Sequence, residues 1–199
     1  MDKGRIILFP SLLAPANPAA VLPDLNLQLI RQTRHFVVEE LRSARRFLKC
    51  CDRNIDIDSL HFEILNEHTP PEDVQAMLAP ALTGDDIGVI SEAGCPAVAD
   101  PGADLVAAAQ AAGITVMPLV GPSSIIMGLM GSGFNGQCFT FRGYLPVEAR
   151  ARATAMREWS ATYARAAAHR YLSKRHTATG VCWRNCARPC RHRCACAWR

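Results

Sequence analysis

Short apolar runs closed by proline, glycine or polar turns alternate along this chain with stretches in which apolar residues recur every three or four positions. Arg5-Ile6-Ile7-Leu8-Phe9, stopped by Pro10, has the form of a buried parallel strand. His35–Glu39, Leu60–Leu65, Ile87–Ser91 and Ile114–Leu119 are similarly short, and most carry β-branched residues. Helical patterns lie between them at Leu41–Lys49, at Pro71–Leu82 behind the start signal Thr69-Pro70-Pro71-Glu72, and at Ala103–Ala112 ahead of Gly113. Strands separated by helices of about ten residues predict βαβ units and a parallel sheet, so the fold class is α/β. Phe139-Thr140-Phe141 begins a further strand and Val147 to about Tyr163 reads as a helix, which together would open a second, incomplete α/β domain. The expected organisation is an N-terminal α/β domain over 1–118, the start of a C-terminal domain over 119–160, and a tail over 161–199.

At 199 residues and 49% hydrophobic, the chain has material for a real core and is not a disordered tail. No uninterrupted apolar run reaches the roughly 18 residues a bilayer span needs, so no membrane is expected. The segment IILFPSLLAPA superficially resembles a signal-peptide core, but Asp2 and the mid-run Pro10 argue against it. Cys50, Cys51, Cys95 and Cys138 show no disulfide-framework spacing, which points to a reducing, cytoplasmic compartment. The net charge of +4 conceals an asymmetry: residues 160–199 hold nine Lys or Arg, three His, five of the nine Cys and no Asp or Glu. The remaining 159 residues carry a net −5.

Ligands of parallel α/β sheets bind beyond the carboxyl ends of the strands, so the residues after Phe9, Val38, Leu65, Ile90 and Val120 are the informative ones. After the fourth strand comes Ser91-Glu92-Ala93-Gly94-Cys95-Pro96-Ala97-Val98-Ala99-Asp100-Pro101-Gly102, whose small residues permit close backbone approach. An ordinary strand-to-helix loop is the plainer alternative. After the fifth comes Val120-Gly121-Pro122-Ser123-Ser124, where either serine can cap the next helix or donate to a ligand. Two such loops on successive strand ends outline a nucleotide-sized crevice. Gly131-Ser132-Gly133-Phe134-Asn135-Gly136 matches the dinucleotide fingerprint formally but follows a helix and precedes a strand, so it reads as a turn. In Glu39-Glu40-Leu41-Arg42-Ser43-Ala44-Arg45-Arg46 the arginines share a helix face that suits a phosphate backbone, unless Glu39 and Glu40 neutralise it as a solvated face.

Taken together, ISEAGCPAVADPG, PLVGPSSII and FRGYLP resemble, in order and spacing, the S-adenosylmethionine-dependent tetrapyrrole methylase superfamily. VEELRSARRFL resembles the acidic-arginine motif of its ribosomal RNA small subunit methyltransferase I branch, and the resemblance covers about residues 5–160. It implies two α/β domains with S-adenosylmethionine in the cleft between them, a homodimer, no metal, and methylation of a ribose 2′-hydroxyl in 16S rRNA of the small ribosomal subunit. It places Gly94, Cys95 and Pro96 in one cofactor loop and Gly121, Pro122, Ser123 and Ser124 in the other. Arg42 and Arg45 are expected to hold RNA phosphates. Glu39, Glu92 and His68 are the candidates for accepting the hydroxyl proton. One departure is that the first strand is followed by Pro10–Pro15 without the family's glycine, which weakens the case for substrate phosphate contact there. The alternatives are a catalytically inactive fragment of this family and a methyltransferase for a tetrapyrrole-type small molecule.

The tail departs from this pattern. Cys182, Cys186, Cys190, Cys194 and Cys196 with His192 invite a zinc reading, but a run of C-x3-C lacks the paired C-x2-C knuckles of structural sites. The family should continue here with a strand and loop resembling TQIFIETPYRN. A coding sequence for that peptide, read one base later, spells HRYLSKRHTA, identical to His169–Ala178. Residues 161–199 are therefore expected to be an out-of-frame translation of the second domain, shifted near residues 158–166, never selected to pack and disordered.

Overall fold

The computed structural model describes residues 2–134, 136–137, 139–164 and 171–173. The chain forms two compact units that divide after Ser123.

The first unit is built on five parallel strands, β1 (Arg5–Phe9), β2 (His35–Val38), β3 (His61–Ile64), β4 (Ile87–Ile90) and β5 (Thr115–Pro118), in the spatial order β3-β2-β4-β1-β5. The parallel α/β class read from the sequence holds. Five helices connect the strands: α1 (Asp24–Gln32), α2 (Leu41–Cys51), α3 (Pro71–Ala76), α4 (Ala79–Thr83) and α5 (Gly102–Ala111).

Because side chains alternate across a strand, the sheet separates two cores. Ile6, Leu8, Val37, Ile87 and Val89 face Val74 of α3, Ala81 of α4 and Leu105 and Ala109 of α5. Ile7, Phe9, Phe36, Val38 and Ile90 face Leu27, Leu29 and Ile30 of α1 and Ala44, Phe47 and Leu48 of α2. Gly88 sits on this second face, where a Cβ would come within 2.8 Å of both the Phe36 and Phe9 rings. The two phenyl groups, 6.3 Å apart, occupy the space a side chain at Gly88 would take.

One local expectation is corrected and one helix is added. The helix predicted over Pro71–Leu82 is two helices, with Met77 ending α3 and Pro80 in the first turn of α4, the position a proline tolerates. Helix α1 was not foreseen: Leu25, Leu27 and Leu29 alternate like a strand, and the residue buried between them is the polar Asn26. Pro118 is accommodated because β5 is an edge strand.

In the second unit, α6 (Ser124–Gly131) is followed by β6 (Phe141–Tyr144), α7 (Ala149–Ala164) and β7 (Tyr171–Ser173), with β7 parallel to β6. The turn after Gly131 thus follows a helix and precedes a strand, as read. Leu145 and Met156 form a small core with Trp159 against it. Glu148 accepts from the N–H groups of Arg150 and Ala151 and caps α7. Of the stretch predicted to be a disordered tail, 161–164 end α7 and 171–173 form β7. The rest, with the cysteines of the zinc reading and Cys138, lies outside the described residues.

Candidate functional site

Strand β1 leads into α1 on one face of the sheet and its neighbour β4 leads into α5 on the other. The chain therefore leaves these adjacent strands in opposite directions and opens a crevice at their carboxyl ends. Three loops meet there. The N–H of Ser11, after β1, donates to the carbonyl of Gly94, after β4, at 2.9 Å. The Cys95 thiol lies 3.5 Å from the carbonyl oxygen of Pro122, after β5. Burial pushes that thiol up from its ordinary value, so it stands as a neutral donor at pH 7. Asn26 of α1, buried, donates from Nδ2 to the Val120 carbonyl at 2.8 Å and fixes the start of the third loop.

The structure thus gathers Gly94, Cys95, Gly121 and Pro122, with Pro96 buried beside Cys95. Ser123 closes the first unit and Ser124 opens α6 in the second. Gly94 has φ +82°, the left-handed region that favours glycine, and a Cβ there would lie 3.1 Å from Leu13. A Cβ on Gly121 would lie 2.3 Å from that of Pro10. The space that glycine leaves is filled by the protein's own Pro10 and not reserved for a ligand. The glycine-free loop Pro10–Pro15 is accordingly a buttress under the other two.

Two hydroxyls here have no hydrogen-bond partner among the described residues although they are buried, Ser11 Oγ and Ser91 Oγ. Both sit just past the ends of the paired strands β1 and β4. A buried hydroxyl left unpaired costs free energy, so these mark polar positions that a bound group would satisfy. Asp100, further along the β4 loop, accepts from the N–H groups of Ala97 and Gly102. By sequence it is one residue of a strand-to-helix loop, which does not disclose its role in shaping that loop.

The three proton-acceptor candidates are placed differently. The Glu39 N–H donates to Ile90 O at 3.3 Å, and a Glu39 carboxylate oxygen lies 3.4 Å from the N–H of Glu92. Glu39 and Glu92 are therefore neighbours on adjacent strand ends. His68 lies in the turn after β3, where its N–H donates to Asn66 Oδ1 at 2.9 Å and its exposed ring faces Glu67 at 3.8 Å.

Arg42, Arg45 and Arg46 lie exposed on α2, and none forms a salt bridge among the described residues. Of the two carboxylates weighed as neutralising this face, Glu40 is engaged at the start of the helix. The carboxylate of Glu40 is occupied by the N–H groups of Arg42 and Ser43, at 2.8 and 2.6 Å, which hold it below its usual range. It caps α2, and the charge of Arg46 makes a smaller contribution to the same lowering. Arg45 lies over the ring of Phe62, 5.5 Å from its centroid.

Among the described residues no three His, Cys, Asp or Glu form a group that would hold a metal, and no helix is long and apolar enough to cross a membrane. No family model matches the chain. Curated relatives do. It is 36% identical over 140 residues to the ribosomal RNA small subunit methyltransferase I of Xylella fastidiosa, covering 69% of this chain and 50% of that protein. The protein of the same name from Vibrio cholerae is 31% identical over 146 residues, 72% of this chain and 49% of its own length. That of Halalkalibacterium halodurans is 30% identical over 166 residues, 82% and 54% respectively. The chain spans about half the length of the curated relatives it matches. With its crevice loops at the β1–β4 switch point and these relatives, the chain belongs to the ribosomal RNA small subunit methyltransferase I family.

Proposed function

We propose that the first unit supplies the cofactor loops of an S-adenosylmethionine-dependent methyltransferase that acts on a ribose 2′-hydroxyl of 16S rRNA in the small ribosomal subunit. The observation that carries this is the convergence of the Ser11, Gly94–Pro96 and Gly121–Pro122 loops at one end of β1 and β4. The residues there fit the cofactor. Ser11 Oγ and Ser91 Oγ are buried polar atoms in want of partners among the described residues, and the carboxylates of Glu39 and Glu92 stand at the ends of the neighbouring strands β2 and β4, where they favour a cationic sulfonium.

Gly94, Cys95, Pro96, Gly121, Pro122, Ser123 and Ser124 would hold the cofactor through backbone groups and hydroxyls. When bound, it supplies a methyl group on a sulfonium, a good leaving group for in-line displacement. What remains for the protein is positioning, which accounts for much of the rate in such reactions. Glu39 is the preferred acceptor for the hydroxyl proton, with Glu92 beside it; His68 is the remaining candidate. Arg42 and Arg45 would bind RNA phosphates from α2, as guanidinium groups in no salt bridge among the described residues. A homodimer and a cytoplasmic location complete the reading.

Labelled methyl transfer to small ribosomal subunits, compared with transfer to a porphyrin precursor, tests it. Methylation of the porphyrin alone overturns the RNA reading. The 199-residue chain is to be assayed beside a version whose frame is restored after residue 158. On the out-of-frame reading of the tail, the restored protein transfers methyl groups and the 199-residue chain, an inactive fragment, does not.

A further inference from the structure

The segment joining β4 to α5 is bent around a single carboxylate. Asp100 accepts from the N–H of Gly102 at 2.7 Å and, through both oxygens, from the N–H of Ala97 at 2.9 Å. The donors lie on either side of it in the chain, so the carboxylate closes the segment into a ring. Inside that ring Ala97 and Ala99 have φ of 62° and 59°. Left-handed backbone costs a residue with a Cβ about 1–2 kcal/mol, and it persists only where surrounding contacts impose it. Gly102 belongs to the same device, since a Cβ there would lie 2.8 Å from Asp100 Oδ1 and 3.3 Å from Ala97 N. The far end of the segment is Gly94, pinned by Ser11. With one anchor at Gly94 and the other at Asp100, the intervening Cys95 and Pro96 have little freedom.

We propose that Asp100 is a positioning residue for cofactor binding: its carboxylate imposes the left-handed conformation on Ala97 and Ala99 and so fixes the Gly94–Pro96 turn in the shape that receives S-adenosylmethionine. This rests on the cofactor reading of that turn. Without the carboxylate, Ala97 and Ala99 relax toward ordinary backbone and carry Pro96 and Cys95 with them.

Amide hydrogen exchange on the 199-residue chain tests the brace without any ligand. Asp100→Ala should speed exchange at Ala97 and Gly102 at least about tenfold, while the amides of Ile87–Ile90 in β4 are unchanged. Asp100→Asn, which keeps one accepting oxygen but sets an NH2 group against the Ala97 N–H, should fall between the parent chain and Asp100→Ala. Should Asp100→Ala fail to fold, Gly102→Ala displaces the carboxylate without removing it and should release Ala97 likewise. Unchanged exchange at Ala97 in the folded variant overturns the brace.

The cofactor arm follows the amide signals of Gly94 and Cys95 during titration with millimolar S-adenosylmethionine. Asp100→Ala should weaken the response at least about tenfold, and adding Ala97→Gly and Ala99→Gly should restore part of it by removing the strain the carboxylate had imposed. Parent-like affinity in Asp100→Ala with Ala97 released overturns the positioning role. Where the parent chain gives no response, the same variants are compared in the frame-restored protein; no response there either counts against the cofactor reading, and the exchange result then decides the brace by itself.

Discussion

Gly121 and Pro10 are pressed together at the ends of β5 and β1: a Cβ on the glycine would lie 2.3 Å from the Cβ of the proline and 2.6 Å from its Cγ. Both belong to loops at the candidate crevice, so the fit between them sets how closely the third loop approaches the first. Gly121→Ala should destabilise the first unit by about 1–3 kcal/mol, the range for an overpacked site. Pro10→Gly should recover much of that loss in the double variant. Denaturant midpoints for the four proteins of the cycle check it, and a purely additive result removes the contact from the account.

Acid should act through Asp86. The Arg5 guanidinium hydrogen-bonds its carboxylate, at 3.1 Å from Nε, and holds it below the ordinary value of 3.8. A carboxylate lowered in the folded state contributes stability that is present above its unfolded value and is lost as pH falls through the folded one. Asp86→Asn should lower stability at neutral pH and flatten the decline below about pH 4, as followed by urea midpoints against pH. An unchanged acid limb would assign the decline to other groups.

Arg42 and Arg45 should bind RNA by charge. Replacing either with alanine should weaken binding to single-stranded rRNA fragments and reduce the slope of log affinity against log salt by about 0.7. Because residues 160–199 hold nine basic residues of their own, the slope difference and not the absolute affinity is the measurement. Equal slopes in the parent and arginine variants would remove α2 from the RNA interface.

The coding DNA tests the tail. Read one base earlier from about residue 166, it should encode a peptide close to TQIFIETPYRN followed by an amphipathic helix. Early stop codons in that frame would refute the out-of-frame account, and β7 at Tyr171–Ser173 would then be a native strand of the second unit.

The alternation of short apolar runs with helical periods was enough by itself to determine a parallel α/β first unit, because buried parallel strands and amphipathic helices leave different periods in the sequence. The same reading located the crevice residues on strand ends, since that is where irregular, glycine- and proline-rich stretches interrupt the pattern. Helix α1 escaped it because Asn26, which a pattern of apolar positions counts as solvent-facing, is buried by its bond to Val120. Only the tertiary structure decided what each loop residue does. Whether Glu40 pairs with arginines or caps a helix, and whether Asp100 merely lies in a strand-to-helix loop or braces a strained one, turn on backbone geometry within three residues, whereas whether Gly121 yields space to a ligand or to Pro10 depends on which groups meet at neighbouring strand ends. Those meetings join residues as far apart in the chain as Ser11 and Gly94, and local sequence carries no record of a partner that only folding brings near.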